Sequence, residues 1–155
     1  MTETIVKEIN EVKVLVTFKE FCKSYEDRRY QLRNILAYSK DKTRSIFEIV
    51  KREQNIELKD DECNRMAELV EAFLNKSEFR KPISKAEKEF LLIKQQNKCA
   101  LCECLLDDKY HADHIIPFKY VGDELKNNWQ MLCPHCNEKK SDSLDYQIRF
   151  LLKLI

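Results

Sequence analysis

Four cysteines carry the most specific chemistry in the chain. Cys99-Ala-Leu-Cys102 is followed, after thirty residues, by Cys133-Pro-His-Cys136. Each CxxC wraps a tight knuckle whose two thiolates span one edge of a tetrahedron, and two such pairs make a zinc site. Four thiolates fill the coordination sphere and leave no open position for a substrate, so the expected Zn²⁺ is structural. Binding of this kind supplies roughly 10–16 kcal/mol of folding free energy in small modules. Cys104 lies two residues beyond Cys102, outside the CxxC register, and reads as a bystander.

Between the pairs stands Tyr110-His-Ala-Asp-His-Ile-Ile-Pro117. Gly122 follows, then Asn128-Trp-Gln-Met-Leu-Cys133 and Cys136-Asn-Glu-Lys-Lys140. This ordered set, interlocked with the cysteine pairs, resembles the HNH endonuclease superfamily with its ββα-metal fold. The resemblance covers about residues 85–145 and does not extend to the N-terminal part.

The chemistry suits these residue types. A phosphodiester is anionic and hydrolyses slowly unless a nucleophile is supplied and the developing charge neutralised. A neutral His can act as general base toward water. A hard divalent cation acts as Lewis acid and prefers oxygen ligands. The resemblance implies that His114 is the general base. It implies that Asp113, on the opposite face of the same strand, coordinates a catalytic metal. Asn128 would hold the loop that orients the His. Asn137 takes the third motif position, often His, and would ligate the metal through its amide oxygen. That makes the chain an H-N-N variant and favours Mg²⁺ or Mn²⁺ over a softer ion. Lys140 matches a Lys three residues further on and reads either as a phosphate contact or as an ordinary helix-surface Lys. Asn137 also suits a helix cap. His111 and His135 are left outside the site, and Trp129 reads as a packing anchor between strand and final helix.

These side chains need elements to hold them. The chain has 155 residues, which suits one domain or a small catalytic module with a helical extension. Its single Gly and three Pro allow few tight turns and favour helices over a many-stranded sandwich. Glu11–Phe18 alternates and is β-branched, so it reads as a short strand. It reads equally as helix, because Ile5, Ile9, Val12 and Val16 recur at helical spacing. Thr17-Phe-Lys-Glu20, Ser45-Ile-Phe-Glu48 and Ser84-Lys-Ala-Glu87 each have the form of a capping box. Phe18, Phe21, Tyr25, Leu32, Ile35 and Leu36 continue one apolar stripe. Asp60 or Asp61 caps a further helix with Met66, Leu69, Val70, Phe73 and Leu74 on one face. The helix opened by Ser84 carries Phe90, Leu91 and Ile93 and ends near Asn97. Cys22 and Cys63 read as small buried hydrophobes. The fold class expected is mainly α with a small α+β part. Residues 1–80 form a helical domain of open role, in DNA binding or dimerisation. Residues 81–155 form the HNH module, with the boundary at Phe79-Arg-Lys-Pro82. The amphipathic end, Tyr146, Ile148, Phe150, Leu151, Leu152, Leu154 and Ile155, must pack on the helical domain or on a dimer partner.

The net charge of +1 shows no overall basic excess, yet charge is patterned. Lys19–Glu53 holds ten Lys/Arg against six Asp/Glu, and Lys76–Lys98 seven against three, while Glu57–Glu71 is acidic. Such stretches are solvated helix faces or local nucleic-acid surfaces. Met1–Asn10 has no apolar leader pattern, and no run of about 18 apolar residues exists. A cytoplasmic, reducing location with no membrane partner is therefore expected, where seven Cys point to metal and not to disulfides. The expected function is a metal-dependent DNA endonuclease of restriction, phage or bacterial defence. The alternative is a non-catalytic, zinc-stapled DNA-binding or adaptor module.

Overall fold

A computed structural model describes residues 2–154, with side chains from residue 10 onward. The described residues are mostly helical, with one two-stranded antiparallel sheet near the C-terminus. The order is α1 (Thr2–Tyr25), a 3₁₀ turn at Glu26–Arg28, α2 (Arg29–Ala37), α3 (Lys42–Gln54), α4 (Asp60–Asn75) and α5 (Lys85–Lys94). Then come β1 (His111–His114), α6 (Phe118–Val121), β2 (Trp129–Leu132), α7 (Pro134–Lys140) and α8 (Leu144–Leu151). No described helix is long and apolar enough to cross a membrane.

The ambiguous Glu11–Phe18 stretch is helical, because α1 runs straight through it. Val14, Leu15, Phe18, Phe21, Cys22 and Tyr25 lie on its buried face, whereas Val16 points outward. A strand would have put Val14 and Val16 on the same side. The Ile5 and Ile9 positions lie outside the described side chains. Thr17 does not cap a helix. It sits inside α1, and its hydroxyl donates to the Lys13 carbonyl at 2.7 Å, a helix-internal back-bond. Ser45 likewise falls within α3, which starts earlier: Asp41 is the N-cap and accepts from Arg44 N–H at 3.1 Å. Neither Asp60 nor Asp61 caps α4. Lys59 holds the N-cap position, and Glu62 reaches back to accept its N–H at 2.8 Å. Ser84 does cap α5, accepting from Glu87 N–H at 3.1 Å. That helix stops at Lys94, because Gln96 and Asn97 are both left-handed.

The main core joins α1–α4 with Ile116, Val121, Leu144 and Ile148. Phe18 and Phe73 meet edge to face at its centre, with centroids 6.3 Å apart. The amphipathic C-terminal run thus packs on the helical part: Leu144 and Ile148 are buried there and Leu151 partly so, while Leu152 and Leu154 stay exposed. Ile155 lies outside the described residues. The stripe expected through Ile35 is broken by the 3₁₀ turn, leaving Leu32 and Leu36 buried but Ile35 exposed. On α5 only Leu91 is buried, and Phe90 and Ile93 face outward.

Candidate functional site

The sheet is a two-stranded hairpin pairing His111 with Leu132, Ala112 with Met131, Asp113 with Gln130 and His114 with Trp129. Since side chains alternate across a strand, Asp113 and His114 lie on opposite faces. The side chain of Gln95 works as a short third strand. Its amide donates to the Met131 carbonyl at 3.0 Å and accepts the Met131 N–H at 3.0 Å. This tie joins the end of α5 to β2 and places the first cysteine knuckle beside the second.

Cys99, Cys102, Cys133 and Cys136 come together with all four Sγ atoms within 4.8 Å of one another. The Cys102 and Cys133 sulfurs are 3.7 Å apart. A tetrahedron with Zn–S bonds of about 2.3 Å has edges of about 3.8 Å, so the cluster fits zinc. Backbone N–H groups of Cys133 and Cys136 point at the sulfurs of Cys99 and Cys133, each at 3.4 Å. Such donors stabilise thiolates. As a free thiol Cys102 is pulled down to about 7, chiefly by the backbone N–H of Cys104. Burial, followed by the neighbouring thiols, pushes Cys136 up, so metal capture must displace its proton. Cys104 stays outside the four-sulfur set; its backbone closes the knuckle by accepting from Cys99 N–H at 2.8 Å. Its thiol, hydrogen-bonded to the Cys102 sulfur, is raised to about 12.

His114 is buried and its ring is held on three sides. Trp129 lies 4.1 Å away between centroids and Phe118 5.5 Å. The Asp123 carboxylate meets Nε2 at 2.6 Å. Trp129 therefore packs on the histidine. Asn128 is buried and clamps the next turn of chain: its amide oxygen accepts Ile116 N–H at 2.8 Å and its amide nitrogen donates to the Ile116 carbonyl at 2.9 Å. Its own carbonyl accepts Ile115 N–H at 2.8 Å. The loop leaving His114 is thus fixed by one side chain.

Asp123 was missing from the residues singled out in the sequence. It follows the chain's only glycine, and that is the signal. Gly122 has φ +59°, and a Cβ there would stand 2.9 Å from the Lys76 Cβ. Only glycine turns the chain here and aims the next side chain at His114. The second Asp123 oxygen accepts the Lys81 N–H at 2.6 Å. Burial opposes ionisation of this carboxyl, but the Lys81 N–H, the His114 ring and nearby Arg80 together hold it below the ordinary aspartate value.

On the other face of β1, Asp113 Oδ2 takes the Gln130 amide at 3.0 Å and the Lys140 ammonium at 3.0 Å. Lys140 also donates to the His114 carbonyl at 2.9 Å and is fully buried. Both surface roles considered for Lys140, phosphate contact and ordinary helix-surface Lys, are therefore corrected. Its charge is spent inside, on the strand that carries both motif residues. Asn137 is half-buried in the middle of α7, the helix packed on that face, and so does not cap it. Cys133 fills the cap position. His111 and His135 are exposed and outside these contacts.

A zinc-suited cluster, a buried His on a hairpin and a Lys-bearing helix behind it are all contained in one segment. Residues 99–143 match the HNH endonuclease family model. The match covers the hairpin, the four cysteines and α7, and it points to nuclease or nucleic-acid-binding function for this segment. Among curated proteins and among solved structures, none matches the chain significantly.

Proposed function

We propose that the protein is a metal-dependent DNA endonuclease whose general base is His114. The observation that carries this reading is the fixed imidazole at the end of β1, next to Asp113, inside the HNH segment. A carboxylate accepts only, so with Asp123 ionised Nε2–H donates to it and Nδ1 is left as the basic nitrogen of the ring. That nitrogen takes the proton of the attacking water, and the Asp123 carboxylate steadies the imidazolium that forms. Asn128 keeps the ring in place by holding the backbone on its C-terminal side.

Asp113 and Asn137 are the residues to hold the hard cation. Their donor set, one carboxylate and one amide oxygen, fits Mg²⁺ or Mn²⁺. With Oδ2 engaged, Oδ1 is the oxygen left for it. Such an ion supplies Lewis-acid charge to the phosphoryl and leaving oxygens. In this reading residues 81–155 are the nuclease module, and residues 1–80 are the part that selects target or partner. Restriction, phage and bacterial defence are the settings proposed. A double-strand break by so small a nuclease needs two active sites, so a homodimer on DNA is proposed, and a monomer by sedimentation on cleaved DNA would contradict it. Nicking of supercoiled plasmid by the zinc-loaded protein should require added Mg²⁺ or Mn²⁺ and should fall at least about 100-fold in Asn137→Ala. Equal nicking by that variant removes Asn137 from the site.

A second reading has one observation in its favour. The Lys140 ammonium already neutralises Asp113. A zinc-stapled DNA-binding module without catalysis would be built this way. It predicts zinc-dependent binding and no turnover under any divalent ion.

A further inference from the structure

The Phe79-Arg80-Lys81 stretch reads in the sequence as a spacer between two parts, yet two independent contacts lay it against the His114 site. Lys81 N–H donates to Asp123 at 2.6 Å, and Asp123 in turn holds His114. Next door, the Arg80 guanidinium lies over the Phe118 ring at 4.4 Å, and Phe118 packs against His114. Arg80 is exposed and forms no ion pair among the described residues, although its charge acts on the Asp123 carboxyl. Stacking alone does not set Arg80 apart, because Arg28, Arg44 and Arg149 also lie over rings. Arg28 and Arg44 are in addition tied to the Ser24 carbonyl and to Glu48, and Arg80 is the one whose ring partner packs on His114. Stacking on an aromatic ring fixes the guanidinium plane at little cost, because the group is weakly hydrated on its faces. Its N–H edge then remains free for an anion. A guanidinium held in this way is preorganised for two parallel bonds to a phosphate.

We propose that Arg80 is a substrate contact: it grips a backbone phosphate of nucleic acid beside the one presented to His114. The linker is thus a binding arm that the helical part extends over the site. Its backbone, through Lys81 N–H, orders Asp123, and its side chain at residue 80 holds the substrate. The flanking Lys81 ammonium, 3.9 Å from Glu124 and largely exposed, adds positive charge to the same edge. This inference rests on the nuclease reading for its substrate class, but binding can be measured without cleavage.

The experiment is equilibrium binding of a fluorescent 20-base-pair duplex to the full-length zinc-loaded protein without added Mg²⁺, followed by anisotropy across a salt series. Wild type, Arg80→Ala and Arg80→Lys are compared, with the thermal melt of each as a check on folding. Loss of one charge-assisted phosphate contact should weaken binding by about tenfold. It should also lower the slope of log K against log salt by about 0.9, the signature of one phosphate no longer neutralised. Arg80→Lys should keep the slope and lose part of the affinity, since the charge stays but the fork does not. Equal affinity and slope for Arg80→Ala and wild type overturns the proposal, and so does failure of the wild type to bind. If Arg80 governs binding while no divalent ion supports cleavage, the nuclease reading falls and the binding arm stands.

Discussion

The helical part and the zinc end of this molecule are held together by different physics. Around α1, α3 and α4 the core is apolar: Phe18, Phe21, Phe73, Leu15, Met66 and Leu69 are all essentially inaccessible to water. At the zinc end the buried cluster is Cys99, Leu132, Cys133 and Cys136, so three of its four side chains are prospective zinc ligands. Burial at about 25 cal/mol per Å² can stabilise the first region, but it has too little surface to act on in the second. There a zinc ion held by the four thiolates would take the place of the core. Because a metal frame needs little apolar surface, the hairpin can carry a polar site. Its strand β1 presents His114 to one face and Asp113 to the other, a pattern that an apolar sheet core would not tolerate. The bridge between the regions is α8, whose Leu144 and Ile148 sit in the apolar core, while Gln147 lies 3.3 Å from Gln130 behind Asp113.

The largest expected effect comes from removing the metal. Chelation, or Cys136→Ser, should cost the hairpin on the order of 10 kcal/mol. Far-UV helicity should largely survive while near-UV signal from Trp129 collapses. Loss of all helical signal at the same chelator concentration would erase the distinction between the two regions. Acidification should release zinc as well, since the ligands must shed protons to bind it.

Truncation on the other side is the next largest. Phe18→Ala should destabilise the fold by about 3–5 kcal/mol, because a fully buried ring meeting Phe73 and Tyr120 leaves a cavity. Zinc content by metal analysis should stay at one ion per chain in the folded variant. Zinc loss at temperatures where that variant remains folded would mean the apolar core, not the cysteine frame, positions the knuckles.

Lys140→Met acts at the seam between the two regions. It leaves the largely buried Asp113 without its cation and should cost about 3 kcal/mol or more. The salt dependence of DNA binding should not change, because Lys140 is inaccessible. A slope reduced by about 0.9 would return Lys140 to the phosphate-contact role.

The smallest effect concerns acid. The Asp123 carboxyl is lower in the folded protein than in the unfolded chain. Its stabilisation is therefore complete above the ordinary aspartate value and is lost as pH falls through the lower, folded one. Asp123→Asn should flatten that part of the stability profile, on the acid side of the ordinary aspartate value. An unchanged acid limb would remove Asp123 as a contributor.

Much of this organisation was legible beforehand, for identifiable reasons. Cysteine spacing dictates metal geometry directly, so the four ligand candidates could be read without any fold. Helical periodicity located the face of α4 and, on α1, that of Phe18, Phe21 and Tyr25, but it also placed Val16 on the inner stripe, and Val16 points outward. Caps were less legible: Ser45 and Thr17 had the right letters but fell inside helices, since Asp41 already caps α3 and α1 begins well before Thr17. Phe90 and Ile93 looked like core by spacing and are exposed, since α5 packs through Leu91 and Gln95. Asp123 and Arg80 were missed because their importance is set by neighbours distant in sequence, His114 and Phe118. Lys140 was read as a surface residue because a buried ammonium requires a partner, and the partner is fixed only by the packing of α7 on β1.

The most direct test compares wild type and His114→Ala, each verified to hold one zinc, for cleavage of plasmid DNA in Mg²⁺ or Mn²⁺. A catalytic base separate from the structural metal predicts nicking by the wild type and a loss of about 100- to 10,000-fold in the variant, with zinc content and helicity unchanged. Equal nicking by the two proteins, or no nicking by either, would contradict it.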